Sequence, residues 1–98
     1  MTETEIIKSL REGSETAFKH LVEQYQQRIV NACYGFVHNP EDAEDIAQDV
    51  FIEVFRSVHN FRADSKISTW LYRIAVNRSL NFIRDNKKRK WFQSFEDA

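Results

Sequence analysis

The chain has 98 residues, of which 42% are apolar and 30% charged; this suffices for one modest folded core and excludes a disordered chain. Its lone cysteine excludes an internal disulfide, and no apolar run approaches the ~20 residues needed to cross a bilayer. The acidic N-terminus lacks a basic stretch followed by an apolar one, so we expect no export signal, no membrane association and a cytoplasmic location.

Helical spacing of apolar residues begins close to the N-terminus. A capping box formed by Thr2 and Glu5 predicts the start of a first helix, which Gly13 ends. Apolar residues at three- and four-residue intervals then predict a second helix from about residue 16 to 38.

The second half of the chain predicts two more helices. Asn39 fits the N-cap of a third helix over about residues 40–58, whose first residue is the chain's one proline. After a loop at residues 60–64, Ser65 is the predicted cap of a fourth helix that continues to about Lys90. No strand alternation or internal repeat is visible. The predicted fold class is all-α, a single small helical bundle of about four helices.

Charge is distributed unevenly along this helical pattern. Residues 40–55 carry six acids and no base, whereas residues 66–90 carry eight bases and one acid. The net charge of −1 hides this reversal. A protein with one acidic and one basic face can bind a basic protein surface with the first and nucleic acid with the second.

The third predicted helix has a core side and a solvent side at about 100° per residue. The core side gathers Ala43, Ile46, Ala47, Val50, Val54 and Val58. The opposite side presents Asp45, Gln48, Asp49, Ile52 and Arg56. An isoleucine among polar residues is typical of a partner-binding surface, whereas acids in a first helical turn only offset the helix dipole. This helix by itself favours a solvated face over a binding face.

A basic stripe is predicted on the fourth helix. It comprises Lys66, Trp70, Arg73, Asn77, Arg84 and Lys88. A separate arc holds the apolar residues Ile67, Leu71, Ile74, Ala75 and Phe82. Basic side chains at this spacing can follow a phosphate backbone, an amide can read a base edge, and a tryptophan can stack on a base. The alternative to nucleic-acid binding is a surface helix with most of the Trp70 ring in the core. Arg78 projects into the apolar arc, where we expect its guanidinium to pair with an acidic side chain.

Nothing in the sequence indicates an enzyme, a metal site or a cofactor. His20, His38 and His59 lack the spacing of paired ligands, and Cys33 falls on the core stripe of the second helix. A Gly-rich phosphate loop is also missing.

A protein-interaction bundle without DNA binding is the main rival to nucleic-acid binding. Its basic helix would be merely solvated or would bind acidic proteins. DNA binding is favoured by the joint presence of Asn77, Trp70 and the loop between Phe61 and Ser68. A protein that only docks on other proteins does not require these three features together.

Three segments of the chain together form a specific pattern: DAEDIAQDVF at residues 42–51, NFR at residues 60–62 and WLYRIAVN at residues 70–77. In this order and spacing they resemble region 2 of the sigma-70 family of transcription initiation factors, and most of all its extracytoplasmic-function (ECF) subgroup. The resemblance covers roughly residues 18–90.

The resemblance implies docking of the acidic helix on the β′ clamp helices of RNA polymerase. The family's DxxQ[DE] pattern falls here on Asp45, Gln48 and Asp49, and Ile52 and Arg56 on the same side complete the predicted polymerase-binding set. These residues lie on the solvent side of the helical projection, so the two interpretations agree. The resemblance also implies an anti-sigma protein as a partner that covers these faces.

The resemblance further implies that the loop and the basic helix bind the promoter −10 element, hold the melted non-template strand and capture a flipped base. The loop would form the base pocket, Trp70 would lie near the fork, Asn77 would read the upstream duplex edge, and Arg73 and Arg78 would lie near phosphates. The full predicted DNA-binding set is Phe61, Arg62, Asp64, Ser65, Lys66, Ser68, Trp70, Arg73, Asn77, Arg78, Arg84 and Lys88.

The chain departs from the broader family in two respects. Primary sigma factors carry paired tryptophans where this chain has Trp70 and Leu71, so weaker melting and stricter promoter demands are expected. Full-length members continue through a linker into a helix-turn-helix domain for the −35 element, and nothing after Trp91 is long enough to supply it. We therefore expect residues 1–90 to form the region 2 domain and residues 91–98 to begin the linker of a longer factor, with a naturally short factor as the alternative.

Overall fold

The computed structural model describes residues 2–61 and 65–97. Four α-helices follow one another in this part of the chain: α1 (Glu3–Arg11), α2 (Glu15–Val37), α3 (Pro40–Ser57) and α4 (Ile67–Asp97). A 3₁₀ turn, Val58–Asn60, follows α3 directly. The described residues contain no strand, so the predicted all-α bundle of about four helices is confirmed.

The first three helices begin at the side-chain caps that their sequence supplies. Thr2 and Glu5 form the predicted capping box at α1. The side chain of Ser14 accepts from the backbone N–H of Ala17 at the start of α2, and that of Asn39 accepts from the N–H of Asp42 at 2.9 Å at the start of α3. Each cap satisfies an N–H group that has no partner within its helix.

Both predicted ends of α4 were wrong. Lys66, and not Ser65, occupies the N-cap position, because its carbonyl accepts from the backbone N–H of Trp70 at 3.3 Å. The helix then runs to Asp97 and passes the predicted end at Lys90. The physical reason is that the chain has neither glycine nor proline after residue 40, so nothing stops the helix there.

The core is one cluster built around α2, which packs against α1, α3 and α4. All six residues predicted for the core side of α3 are buried, and Phe51 is buried beside them. The apolar arc predicted for α4 is also confirmed, with Phe82 partly buried at its edge. An edge-to-face contact between Phe18 and Phe55, with ring centroids 5.0 Å apart, closes one side of the junction between α2 and α3.

The C-terminal part of α4 projects beyond this core. Residues 87–97 are all exposed, and the molecule measures 57 × 23 × 22 Å. A helix of 31 residues is about 47 Å long, so α4 by itself accounts for most of the long dimension. In the described ranges, no helix combines the length and the apolar character that a membrane span requires.

Candidate functional site

The solvent side of α3 is exposed as predicted, and we call its five residues the α3 face: Asp45, Gln48, Asp49, Ile52 and Arg56. Ile52 is 47% exposed and lies among polar neighbours. Within residues 2–61 and 65–97 none of the three charged members of the face takes part in an ion pair. The face therefore offers apolar area and charges that intramolecular pairing leaves available to a partner.

An open groove of about 680 Å³ adjoins the α3 face, between α3 and α2. Gln48 and Ile52 belong to both the face and the groove. From α2 the groove takes three apolar side chains, Phe18, Val22 and Val30, which pack only partly against the core. The helical pattern predicted α2 from apolar spacing without assigning these three residues to a surface, so the contribution of α2 to this groove was missed.

Glu53 and Arg78 join α3 to α4. Arg78 Nη2 donates to Glu53 Oε1 at 2.9 Å, and both side chains are more than a third exposed. The expectation that the head of Arg78 finds an acid is confirmed. This pair therefore holds the guanidinium of Arg78 against α3.

The basic stripe of α4 is exposed at Lys66, Arg73, Asn77, Arg84 and Lys88. Arg84 lies 3.8 Å from Asp85, but both side chains are about two-thirds exposed, so water screens this pair strongly. The remaining charge on the stripe gives the outer side of α4 the basic character that the sequence predicts.

Trp70 lies between this stripe and the core. Its ring packs on Phe61 with centroids 4.7 Å apart and an angle of 31° between the planes, and it is half-buried against the core. Phe61 itself is only 5% exposed. The structure thus lies between the two alternatives for Trp70, because its ring packs on Phe61 and the core without being fully buried, whereas Phe61 presents little surface of its own.

The predicted base-pocket loop is described only at its two ends. Ser65 and Ser68 are half-buried beside exposed Lys66. The predicted DNA-binding residues Arg62 and Asp64 lie outside the described residues.

Two long-range hydrogen bonds from α1 hold these loop ends. Glu3 Oε1 accepts from the backbone N–H of Ile67 at 3.2 Å, and Arg11 Nη2 donates to the backbone carbonyl of Phe61. The partners are 64 and 50 residues apart in sequence. Reasoning from helical periodicity assigned α1 no role at the site, because side-chain contacts over such separations leave no trace in a local pattern.

An aromatic cluster at the exposed end of α4 was also missed. Trp91, Phe92 and Phe95 are 59–70% exposed, and the Trp91 ring lies 5.0 Å from Phe92 and 5.1 Å from Phe95. The four preceding residues, 87–90, are all basic. The sequence signal was the aromatic content of a segment that was interpreted as a linker.

Cys33 belongs to the core, as predicted. Burial raises the pKa of its thiol. The neighbouring hydroxyl of Ser79 on α4, which is also buried, lowers the pKa and so partly opposes that shift. The neutral thiol is thereby favoured, which is the state of a packing residue and not of a nucleophile.

Comparison with known proteins gives consistent results. The family model for Sigma-70 region 2 matches residues 21–89. The chain is 40% identical over 79 residues to the RNA polymerase sigma-H factor of Pseudomonas aeruginosa, covering 81% of the chain and 41% of that protein. It is 41% identical over 81 residues to the ECF RNA polymerase sigma factor SigW of Bacillus subtilis, covering 83% and 43%. The chain thus spans less than half the length of these curated relatives.

A solved structure agrees in fold over nearly the whole chain. It is the NMR structure of an engineered region 2 of sigmaE in complex with GTAAAA. The two align with a TM-score of 0.83 and 32% identity, covering 91% of this chain and 93% of the other.

Proposed function

The chain belongs to the sigma-70 region 2 family, in its ECF subgroup, and from this premise we propose that it docks on core RNA polymerase and recognises and melts the promoter −10 element. The observation that carries the proposal is that the acidic α3 face and the basic stripe of α4 are both exposed on one core. A transcription initiation factor needs two such surfaces, one for the polymerase and one for the promoter. An enzyme activity is not part of the proposal.

Docking on the β′ clamp helices is proposed for the α3 face. Asp45 and Asp49 supply negative charge, Gln48 supplies hydrogen bonds, and Ile52 supplies an apolar centre of the kind that partner interfaces bury. The adjoining groove extends the available apolar surface on to α2. Both named relatives are RNA polymerase sigma factors, which supports this partner.

Binding of the −10 element is proposed for α4 and the loop before it. Arg73, Arg84 and Lys88 supply exposed positive charge for contacts with phosphates, and Trp70, which packs on Phe61, keeps part of its side chain exposed for contact with a base. The sigmaE region 2 relative bound to GTAAAA supports DNA as the ligand. Four further expectations stay predictions: capture of a flipped base, the contribution of Arg62 and Asp64 to DNA binding, an anti-sigma partner and a cytoplasmic location.

The docking proposal is tested by binding of the chain to core RNA polymerase. We expect the variant with Asp45→Ala and Asp49→Lys to lose binding while its helix content, followed by circular dichroism, stays unchanged. A matched charge reversal at an exposed acid outside the face, Glu12→Lys, should bind like the original chain. Equal binding by all three proteins would remove the α3 face as the docking surface.

The rival function is a protein-interaction module without DNA binding. If the protein binds core polymerase but does not open promoter DNA, the result favours that rival. If it binds neither polymerase nor DNA, the result contradicts both parts of the proposal. The two assays therefore separate the functions of α3 and α4.

A further inference from the structure

The aromatic cluster at the exposed end of α4, which we call the tail cluster, consists of Trp91, Phe92 and Phe95. These side chains are more exposed than the other large apolar side chains on the described surface, which reach 49%. Positions one, three and four residues apart share one side of a helix, so the three rings form a single apolar patch. Contiguous exposed apolar patches mark sites where a protein contacts a partner or a membrane.

The tail cluster is out of reach of the core of its own chain. Phe82 is the last residue of α4 that packs against the core, and Trp91 lies about 14 Å farther along the helix axis. At about 100° per residue, the cluster also points about 100° away from the apolar arc of α4. Whatever covers the three rings must therefore come from outside the bundle.

Positive charge surrounds the start of the tail cluster. Residues 87–90 are four consecutive exposed bases, and none of them forms an ion pair within the described parts of the chain. On the helical projection Lys88 lies on the side of the rings, and Lys87 and Arg89 lie on the two flanks of that side. Residues 87–97 carry four bases and two acids, a net side-chain charge of +2. The occupant must therefore be both apolar and negatively charged.

The geometry of the rings argues against stacked bases. The Trp91 ring stands at 80° to the ring of Phe92 and at 46° to that of Phe95, with centroids 5.0 and 5.1 Å away. The rings thus pack against one another at steep angles and do not form the separate flat platforms on which successive bases stack.

The size of the tail cluster argues against a second copy of the chain. Six rings of about 150–250 Å² each, exposed as these are, bury at most about 1,000 Å² between two copies, which is below the usual size of a stable interface. Such a pair would also bring two basic segments together. A membrane surface, in contrast, accepts a convex helix end without any shape complementarity and supplies both acyl chains and anionic headgroups.

We propose that the end of α4 binds the surface of a membrane that contains anionic phospholipids. The three rings enter the boundary between headgroups and acyl chains, and Lys87 and Arg89 on the flanks bind lipid phosphates. The expectation of no membrane association rested chiefly on the lack of an apolar run long enough to cross a bilayer, a criterion that does not apply to a helix lying on the surface. The inference does not rest on the proposed function, because the rings, Lys87 and Arg89 belong to neither candidate face.

The test is co-sedimentation of the 98-residue chain with lipid vesicles. One set of vesicles consists of phosphatidylcholine alone, and the other contains about one-third phosphatidylglycerol, which is anionic. The chain should bind the anionic vesicles and not the neutral ones, and its tryptophan emission should shift to shorter wavelength as Trp91 leaves water.

Charge variants test the contribution of the flanking bases. Replacing Lys87→Gln and Arg89→Gln should weaken binding to anionic vesicles about fivefold for each charge removed. The matched control replaces Lys19→Gln and Arg28→Gln, which are exposed bases of α2, and should bind like the original chain.

Ring variants assign the binding to the tail cluster. Phe95→Ser should weaken binding to anionic vesicles about tenfold, because an apolar ring no longer leaves water. Phe36→Ser, at an exposed phenylalanine of α2, is the matched control and should bind like the original chain. Circular dichroism checks that the helix content of each variant is unchanged.

Four results would overturn the proposal: no binding of the original chain to anionic vesicles, equal binding by Phe95→Ser, a lipid-free dimer that Phe95→Ser abolishes, or quenching of tryptophan emission by single-stranded oligothymidine that Phe95→Ser abolishes. The third result would assign the tail cluster to a second copy of the chain, and the fourth to nucleic acid. None of these assays contains polymerase or promoter DNA, so failure here leaves the proposed function standing.

Discussion

The carboxylate of Glu3 accepts a hydrogen bond from the backbone N–H of Ile67 at 3.2 Å, across 64 residues of sequence. Ile67 is the first residue of α4, where N–H groups lack partners within the helix and where negative charge is favourable. At the other end of α1, about 12 Å along its axis, Arg11 donates to the carbonyl of Phe61. The short helix α1 therefore holds the two ends of the connection that leads into the candidate DNA-binding helix.

Replacing Glu3 should weaken this cap. We expect Glu3→Ala to lower the free energy of unfolding by about 0.5–2 kcal/mol, the usual range for loss of a helix cap, and Glu3→Gln to lower it less because the amide oxygen still accepts. Urea unfolding followed by circular dichroism measures both effects. Glu23→Ala, an exposed position in the middle of α2, serves as the control. A Glu3→Ala protein as stable as that control would show that the cap contributes nothing.

Local patterns were sufficient to predict the part of the fold that depends on neighbours in sequence. The capping residues Thr2 and Asn39 act within three residues of themselves, and the buried side of α3 follows from a period of 3.6 residues. The exposed α3 face follows from the same period. The outward residues of α3 and α4 could therefore be predicted before any contact between helices was known.

The rest depends on contacts that no local pattern encodes. The cap from Glu3 to Ile67 and the support of Trp70 by Phe61 both require the packed arrangement of α1, α4 and the turn after α3. The groove on α2 arises because Val22 and its neighbours lie at the edge of the core, where a helical pattern cannot separate partial from full burial. The extension of α4 to residue 97 was missed because residues 91–98 were interpreted as the start of a linker.

The ion pair between Glu53 and Arg78 should contribute little to stability despite its short distance. Both partners are more than a third exposed, so a double-mutant cycle with Glu53→Gln and Arg78→Gln should give a coupling free energy of about 0.2–1 kcal/mol. The same cycle on Arg84 and Asp85, which are farther apart and more exposed, should give a smaller value. A coupling larger than this range would show that water does not screen the pair.

Titration of Cys33 should make stability depend on pH in the alkaline range. Burial raises the pKa of this thiol above its ordinary value of 9.0, so the folded protein holds a proton that the unfolded chain releases. Stability should therefore decrease as the pH rises through about 9 towards the folded pKa, and should be insensitive to this group at lower pH. Urea unfolding of the original chain and of Cys33→Ala at pH 7–10 tests this. The difference between the free energies of unfolding of the two proteins should change only above about pH 9. If the two free energies change with pH in parallel over the whole range, the expectation is contradicted.

Arg73 should account for about one phosphate contact. In complexes with core polymerase, Arg73→Ala should weaken binding to all DNA sequences alike and reduce the dependence of log K on log salt by about one unit. Arg28 is a suitable control, because it is an exposed arginine of α2 that lies over the ring of Tyr25, with 5.8 Å to its centroid. An identical salt dependence for Arg73→Ala and the original chain would exclude the phosphate contact.

Asn77 should determine sequence preference more than affinity. Its amide is exposed on the basic stripe beside Arg73, and an asparagine bound to an adenine edge contributes about 1–3 kcal/mol of discrimination against other bases. We therefore expect Asn77→Ala to relax the preference at one base pair while binding to the other positions keeps its pattern. Competition binding with every single-base variant of a GTAAAA duplex, in the presence of core polymerase, measures this. Because Arg73 is expected to contact a phosphate and not a base, the loss for Arg73→Ala should be uniform across the same set. A uniform loss for Asn77→Ala would assign Asn77 to the DNA backbone instead.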